Sequence, residues 1–366
     1  MYYTETEARK MVIEAGRRLL EDKLVARTWG NISARISDDS FVITPSGKAY
    51  ESLTENDLVV VNTDGSYEGG IKPSSERGVH ADAYALRSDV SFIVHTHQYY
   101  ASAVAAECKG KHFAPCAAYG LPGTYKLRKN MKACIAAHPD TDTFLMARHG
   151  ALILAGGPDE AFALADGLEE KCRALVEARV PSYDAVEHAD FDTSKIDIRA
   201  MPYVKIADDP FVMECCKAGM KVGAYIDDFA QIIGPDIQVV ENDEWAAERA
   251  LLGYSTGRTA RNFSGKIPMT GALDRMGGQQ PTLNSAIGRN AVLVKGTGAV
   301  CVGKTESDAV AAAEICSKNC AAACYVRRAK PMSALDARLQ RYIYLTKYSG
   351  LNDDYEEAQN DGRNKR

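Results

Sequence analysis

A chain of 366 residues, 46% hydrophobic and 25% charged, holds enough apolar material for more than one ordinary domain. Its net charge of −5 is spread without a basic block, which excludes the electrostatic footprint of a nucleic-acid binder and leaves any anionic ligand to a local pocket. No charged-then-apolar leader and no apolar run approaching about 18 residues is present, so a soluble, cytoplasmic protein without a membrane partner is expected.

The first element is a helix from Thr4 to Leu24, where Met11, Val12, Ala15, Leu19 and Leu20 recur at helical spacing. Short β-type runs follow at Asn31 to Ile36, Ser40 to Thr44 and Leu58 to Asn62, each bounded by turn-forming residues. Ser75 to Arg87 is helical in pattern, Phe92 to His97 strand-like and Ala101 to Glu107 helical. A strand region from Thr143 to Leu154 then precedes a helix from Asp159 to Ala178. The pattern is mixed α/β with one central sheet.

Pro181 and the polar stretch Asp190 to Lys195 mark a boundary, after which the pattern restarts as an imperfect repeat. Ala291-Val-Leu-Val-Lys-Gly-Thr-Gly lies over Thr143-Phe-Leu-Met-Ala-Arg-His-Gly, which puts Thr297 at the position of His149. Laying Cys216-Lys-Ala-Gly over Cys108-Lys-Gly-Lys would put Tyr203 and Lys205 where His95 and His97 stand. The expected organisation is a first domain over 1–185, a linker over 186–200, and a partial repeat over 201–345 without ligands. An insertion lies near 241–278, and a charged tail over 346–366, with Tyr355, is expected to be disordered.

The ten cysteines lie in a large chain without paired CxxC motifs, so reduced thiols are expected. Cys316, Cys320 and Cys324 fall every four residues on one helix face, where small buried residues are the plainer reading and a metal or redox role the sharper one.

His95 and His97 stand two apart at the end of an apolar strand, so both imidazoles project from one face. His149 ends a second apolar strand ahead of Gly150, where a sharp exit lets its ring leave the sheet edge. The trio permits a metal site, although any single histidine here is more often a structural residue than a ligand, and the trio by itself reads equally well either way. Lys72-Pro-Ser-Ser-Glu-Arg adds two hydroxyls, backbone amides and a helix N-terminus beside the carboxylate of Glu76, an arrangement suited to an anion. Gly30-Asn-Ile-Ser33 and Thr44-Pro-Ser-Gly-Lys48 read as turns whose amides suit phosphate oxygens, with Lys48 as a counterion.

These five segments, Gly-Asn-Ile-Ser, Thr-Pro-Ser-Gly, Lys-Pro-Ser-Ser-Glu, His-Thr-His and Arg-His-Gly, in this order, resemble the class II aldolase and adducin family, nearest its L-fuculose-1-phosphate aldolase branch. The resemblance covers residues 1 to about 180 and only weakly the remainder. It implies an αβα domain with a central, mainly antiparallel sheet, followed here by a degenerate repeat. It also implies Zn2+ on Glu76, His95, His97 and His149, with manganese, cobalt or iron as alternatives. Phosphate contacts would come from Asn31, Ser46, Gly47, Ser74 and Ser75. Tyr119 resembles a tyrosine that enters a neighbouring subunit's site, with core packing as the alternative. His80, one turn after Glu76, is read as support for helix packing and left out of the ligand set.

The family implies cleavage of a ketose 1-phosphate to dihydroxyacetone phosphate and an aldehyde, with a zinc-stabilised enediolate and Glu76 as acid and base. The partner is then a small sugar phosphate, and the assembly a homo-oligomer with sites near subunit or repeat interfaces. A sugar-phosphate 4-epimerase, whose motif resembles Lys-Pro-Ser-Ser-Asp, is one alternative, and a decarboxylase or dehydratase another. A non-catalytic adducin-like binding domain is the alternative from a different class, against which the intact Glu76 and three histidines count.

Overall fold

The structure is a computed structural model, and it describes residues 2–25, 29–108, 113–179, 190–196, 198, 201–251 and 290–347. Two compact units emerge, Met1–Ala174 and Leu175–Gly350.

The first unit begins with α1 (Glu5–Glu21), held by a capping box in which Thr4 and Glu7 satisfy each other's backbone amides. Strands β1 (Asn31–Arg35), β2 (Ser40–Ile43) and β3 (Val59–Asn62) precede α2 (Arg77–Leu86). Then come β4 (Phe92–Thr96), α3 (Tyr99–Ala105), β5 (Cys116–Ala117), α4 (Tyr125–Ala137), β6 (Thr143–Met146), β7 (Gly150–Ala155) and α5 (Pro158–Glu177). They build a seven-stranded sheet in the order β3-β2-β1-β4-β7-β6-β5. Every neighbouring pair is antiparallel except β5 with β6, as expected for a central, mainly antiparallel sheet.

Side-chain alternation along these strands decides what lies on each face. Ile93, Phe144, Leu152 and Leu154 pack with Val79, Ala83 and Tyr84 of α2 and with Leu127 and Met131 of α4 in one apolar core. His95 is two residues from Ile93 and pairs with Leu152 and Asn31, so it shares this face with α2. The α2 helix therefore delivers its N-terminus to the strand end that carries the histidines. On α3, the Tyr100 and Ala101 amides donate to Glu169 of α5 at 2.7 and 2.9 Å, satisfying groups that a helix start leaves outside its own ladder.

Two expectations change in this unit. Gly30-Asn-Ile-Ser33 is not a turn, because Asn31 opens β1 and Ile32 and Ser33 are bonded into the ladder, leaving Gly30 alone in the turn. The thiols are not all reduced either: Cys108 and Cys116 are joined, with Cα atoms 5.7 Å apart. The return from α3 to β5 brings together two cysteines that sequence spacing leaves unpaired. Cys134, Cys172, Cys215, Cys216, Cys301, Cys316, Cys320 and Cys324 are free.

The second unit contains β8 (Tyr203–Ala207), α6 (Pro210–Cys216), β9 (Lys221–Gly223), α7 (Asp227–Ile232), β10 (Asp236–Val240) and α8 (Glu244–Leu251). After residues outside the described set come β11 (Ala291–Val294), β12 (Gly298–Gly303), α9 (Glu306–Tyr325) and α10 (Ala334–Lys347). Its five-stranded sheet has the order β8-β12-β11-β10-β9, and its first four strands run in the order and directions of β4-β7-β6-β5. Register sharpens the comparison. Thr143 pairs with Ile153 as Ala291 pairs with Cys301, which keeps Thr297 at the place of His149.

Thr96 faces Ala151 as Ala207 faces Ala299, so Ile206 and Asp208 occupy the positions of His95 and His97. The expected counterparts Tyr203 and Lys205 are thus displaced by three residues. Cys216 ends α6 as Ala105 ends α3, so its match to Cys108 is out of register. The expected insertion near 241–278 begins with α8, which occupies the place of α4 between two strands; its remainder lies outside the described residues, as does the tail after Lys347. Among the described residues, no helix is long and apolar enough to cross a membrane.

Candidate metal centre

Three imidazoles converge where β4 and the β6–β7 hairpin end. His95 Nε2 lies 3.1 Å from His149 Nε2 and 3.0 Å from His97 Nε2. All three rings are buried, at 1%, 4% and 3% exposure, so the contacts are sheltered from water. His95 donates through Nδ1 to the Ala151 carbonyl at 2.8 Å, which leaves the Nε2 lone pair for the centre of the cluster. His97 is set by its own backbone, whose amide donates to the Leu24 carbonyl at 3.0 Å, and by Trp29, stacked 6.3 Å away.

His149 reaches the cluster because Arg148 takes a left-handed φ of 64° and the His149 amide returns to the Met146 carbonyl at 2.9 Å. The sharp exit is therefore made at Arg148, two residues before the expected Gly150. Gly150 serves a different need: a Cβ there would lie 2.1 Å from the Thr96 carbonyl oxygen and 3.3 Å from His95 Cε1.

Gly30 combines both constraints, with φ +82° and a site for Cβ only 2.5 Å from the His95 carbonyl oxygen. Gly30→Ala is expected to destabilise the protein by at least about 1–2 kcal/mol from the left-handed backbone alone, before any displacement of β4. Urea unfolding measures this, and an unchanged midpoint would contradict the close approach.

Glu76 stands at the N-cap position of α2, 8% exposed, and closes the cluster. Its Oε1 lies 3.0 Å from His149 Nε2 and its Oε2 3.2 Å from His95 Nε2. Burial pushes its carboxyl upward, but the neighbouring His95 and His149 and hydrogen bonds from His149 and Asn31 outweigh this and hold it well below the usual carboxylate range. Burial lowers the His95 pKa to about 3 against the pull of Glu76. An ionised carboxylate beside a neutral imidazole is the protonation state that metal ligation requires. Three buried histidine nitrogens within 4.8 Å of one another, with the buried Glu76 carboxylate 3.0 Å from His149 and 3.2 Å from His95, fit a transition-metal ion.

The segments read as anion sites meet beside Glu76. Pro45 and Pro73 form a short antiparallel bridge, with Ser46 N donating to Lys72 O at 2.9 Å and Ser74 N to Thr44 O at 3.0 Å. Ser74 is buried and its Oγ accepts the Glu76 amide at 3.2 Å, whereas Ser46 and Gly47 are half-buried and Ser75 is exposed. Asn31 is committed differently from its expected phosphate role: Nδ2 donates to Glu76 Oε2 at 3.0 Å and Oδ1 meets His80 Nε2 at 2.5 Å. Lys48, expected as a counterion, pairs with Asp57. Tyr119 is half-buried between β5 and α4, and its carbonyl accepts from Asn130 at 3.0 Å.

Sequence reading passed over two arginines. A cavity of about 300 Å³ opens against Ser75, Glu76 and Arg77, with Gly123, Thr124 and Arg128 across it. Arg128 is bound by Asp82 at 2.7 and 3.0 Å, and Arg77 donates through Nε to Gly65 O at 3.2 Å. The Arg77 that follows the Ser-Ser-Glu motif was visible in the sequence; Arg128 lies far along the chain and is brought in only by α4.

Comparison with known proteins finds relatives that match part of this chain. The model of the "Class II Aldolase and Adducin N-terminal domain" family matches residues 10–176. The L-fuculose phosphate aldolase of Escherichia coli is 32% identical over 154 residues, 39% of this chain and 70% of that enzyme. The 5-methylthioribulose-1-phosphate/5-deoxyribulose-1-phosphate aldolase of Rhodospirillum rubrum is 31% identical over 196 residues, 48% of this chain and 86% of that enzyme. An L-ribulose-5-phosphate 4-epimerase of Salmonella paratyphi C is 40% identical over 97 residues, 26% of this chain and 42% of that protein. These relatives differ in reaction while sharing one ancestry, and two of them are matched over more than two thirds of their length, so this chain belongs to the class II aldolase and adducin family.

Proposed function

We propose that the first unit is a metal-dependent lyase that cleaves a ketose 1-phosphate, such as L-fuculose 1-phosphate, to dihydroxyacetone phosphate and an aldehyde. The observation that carries this reading is the ionised Glu76 carboxylate in contact with two imidazoles of a dry histidine triad, one residue from a serine pair.

His95, His97, His149 and Glu76 would hold Zn2+, which when bound supplies a Lewis acid for the negative charge that develops on the substrate's carbonyl oxygen. Glu76, once turned from the imidazoles toward the substrate, takes up the proton that the hydroxyl on the departing carbon gives up by way of Tyr119, passes it to the carbon that carried the broken bond, and reverses both transfers in the synthetic direction. Ser46, Gly47, Ser74 and Ser75 are assigned to the phosphate, and the cavity bounded by Ser75 and Arg77 gives a small anionic substrate room and positive charge. Tyr119, offered by a neighbouring subunit of a homo-oligomer, exchanges a proton with the hydroxyl oxygen of the departing aldehyde.

One observation favours a second reading. The epimerase relative is 40% identical over its matched stretch, and an epimerase breaks and re-forms the same kind of bond. Glu76 in Lys-Pro-Ser-Ser-Glu, where the epimerase motif resembles Lys-Pro-Ser-Ser-Asp, favours the aldolase.

Elemental analysis and an assay of dihydroxyacetone phosphate release, coupled to a dehydrogenase, test the proposal on one preparation. Stoichiometric zinc and chelator-sensitive release from L-fuculose 1-phosphate or a neighbouring ketose 1-phosphate is expected. Metal with no cleavage would move the assignment to the epimerase, and absence of metal would overturn both.

A further inference from the structure

Behind Glu76 a polar stripe runs through an otherwise apolar core. Glu76, His80 and Tyr84 recur every four residues on α2, one helical turn apart, and Asn31 and Ser33 recur every two on β1. The two repeats interlock. Asn31 bridges Glu76 and His80, and Ser33 bridges His80 and Tyr84, with Ser33 Oγ 2.7 Å from His80 Nδ1 and 2.8 Å from Tyr84 Oη.

An ionised carboxylate at one end and a neutral imidazole in the middle are compatible with one set of donor and acceptor roles along this chain. An ionised Glu76 only accepts, so the Asn31 amino group must face it and the Asn31 carbonyl oxygen must face His80. His80 Nε2 must then carry a hydrogen. Burial holds the ring neutral, with a pKa of about 4, so Nδ1 accepts from the Ser33 hydroxyl, which in turn accepts from Tyr84. At 0% exposure for His80 and Ser33, water is not available to replace a missing member.

We propose that His80 is a positioning residue: through Asn31 it fixes the Glu76 carboxylate on the histidine cluster, with Ser33 and Tyr84 holding the His80 tautomer. Asn31 on this view serves the carboxylate and not the substrate's anion. The kinetic part of the proposal rests on the lyase reading above; the tautomer and metal-affinity parts do not.

The first test is 15N-histidine NMR of metal-free protein, in which His80 is expected as the neutral Nε2–H tautomer with a slowly exchanging proton that Asn31→Ala exposes to exchange. An Nδ1–H tautomer or an imidazolium at neutral pH overturns the chain. The second is titration with Co2+ alone, where His80→Leu is expected to weaken affinity by about 10- to 100-fold, the usual effect of losing a group that orients a ligand. The third is turnover: kcat falls by a similar factor with KM changed less than about twofold, and His80→Gln, which keeps one donor and one acceptor, recovers part of the loss. A raised KM with kcat retained in Asn31→Ala overturns the proposal by putting Asn31 on the substrate. Unchanged cobalt affinity in His80→Leu overturns it as well. If His80→Leu does not fold, Tyr84→Phe, which removes only the terminal hydroxyl, is expected to shift cobalt affinity and kcat in the same direction, and no shift counts against the chain. A wild-type protein that cleaves no ketose phosphate removes the lyase reading alone, because the NMR and cobalt results still decide this proposal.

Discussion

Glu76→Gln is expected to lower kcat for ketose 1-phosphate cleavage by about 10²- to 10⁴-fold, the range for loss of a positioned general acid or base. The substitution keeps size and removes the negative charge and, with it, the capacity to take up and release a proton. It also reverses a hydrogen-bond requirement, since Oε2 accepts from Asn31 at 3.0 Å and an amide nitrogen placed there would meet another donor. Folding is expected to be spared because the Glu76 backbone amide bonds to Ser74 Oγ whatever the side chain. Steady-state kinetics beside a thermal unfolding curve separates the two effects. A kcat within about tenfold of wild type would transfer the proton step to another group.

The parts of this centre that sequence exposed are those with short-range periodicity. His95 and His97 at a spacing of two, and Glu76 after a serine pair at a helix start, carry their geometry in their spacing. The long-range partnerships were not legible. Asn31 looked like a turn residue because Gly30 precedes it, yet pairing with His95 on β4 is what places its side chain under α2. His80 was read as support for helix packing and kept out of the ligand set; its hydrogen bonds to Asn31 and Ser33 depend on β1 lying against α2. The second unit shows the same limit: the hairpin around Thr297 was placed correctly by a local match, while Tyr203 and Lys205 were aligned through a cysteine and missed the register that only the β8–β12 pairing reveals.

Acid sensitivity follows from His80 independently of any reaction. Its pKa falls from 6.5 in the unfolded chain to about 4 in the folded protein because a buried ring disfavours the charge. Between these values the unfolded chain binds the extra proton, so stability rises with pH across this window and is lost as pH falls through it. The contribution is fully present above about pH 6.5 and exhausted below about pH 4. With the ring at 0% exposure no screening discount applies, and the shift corresponds to about 3 kcal/mol. Chemical denaturation of chelated wild-type protein and His80→Leu from pH 7 to pH 4 is the measurement, and the slope of the difference carries the information, since the variant's absolute stability also reflects lost hydrogen bonds. Wild type is expected to lose about 3 kcal/mol more than the variant over the window. Parallel curves would mean that His80 titrates as a solvated imidazole in the folded state, and the buried chain from Tyr84 to Glu76 would have to be open to water.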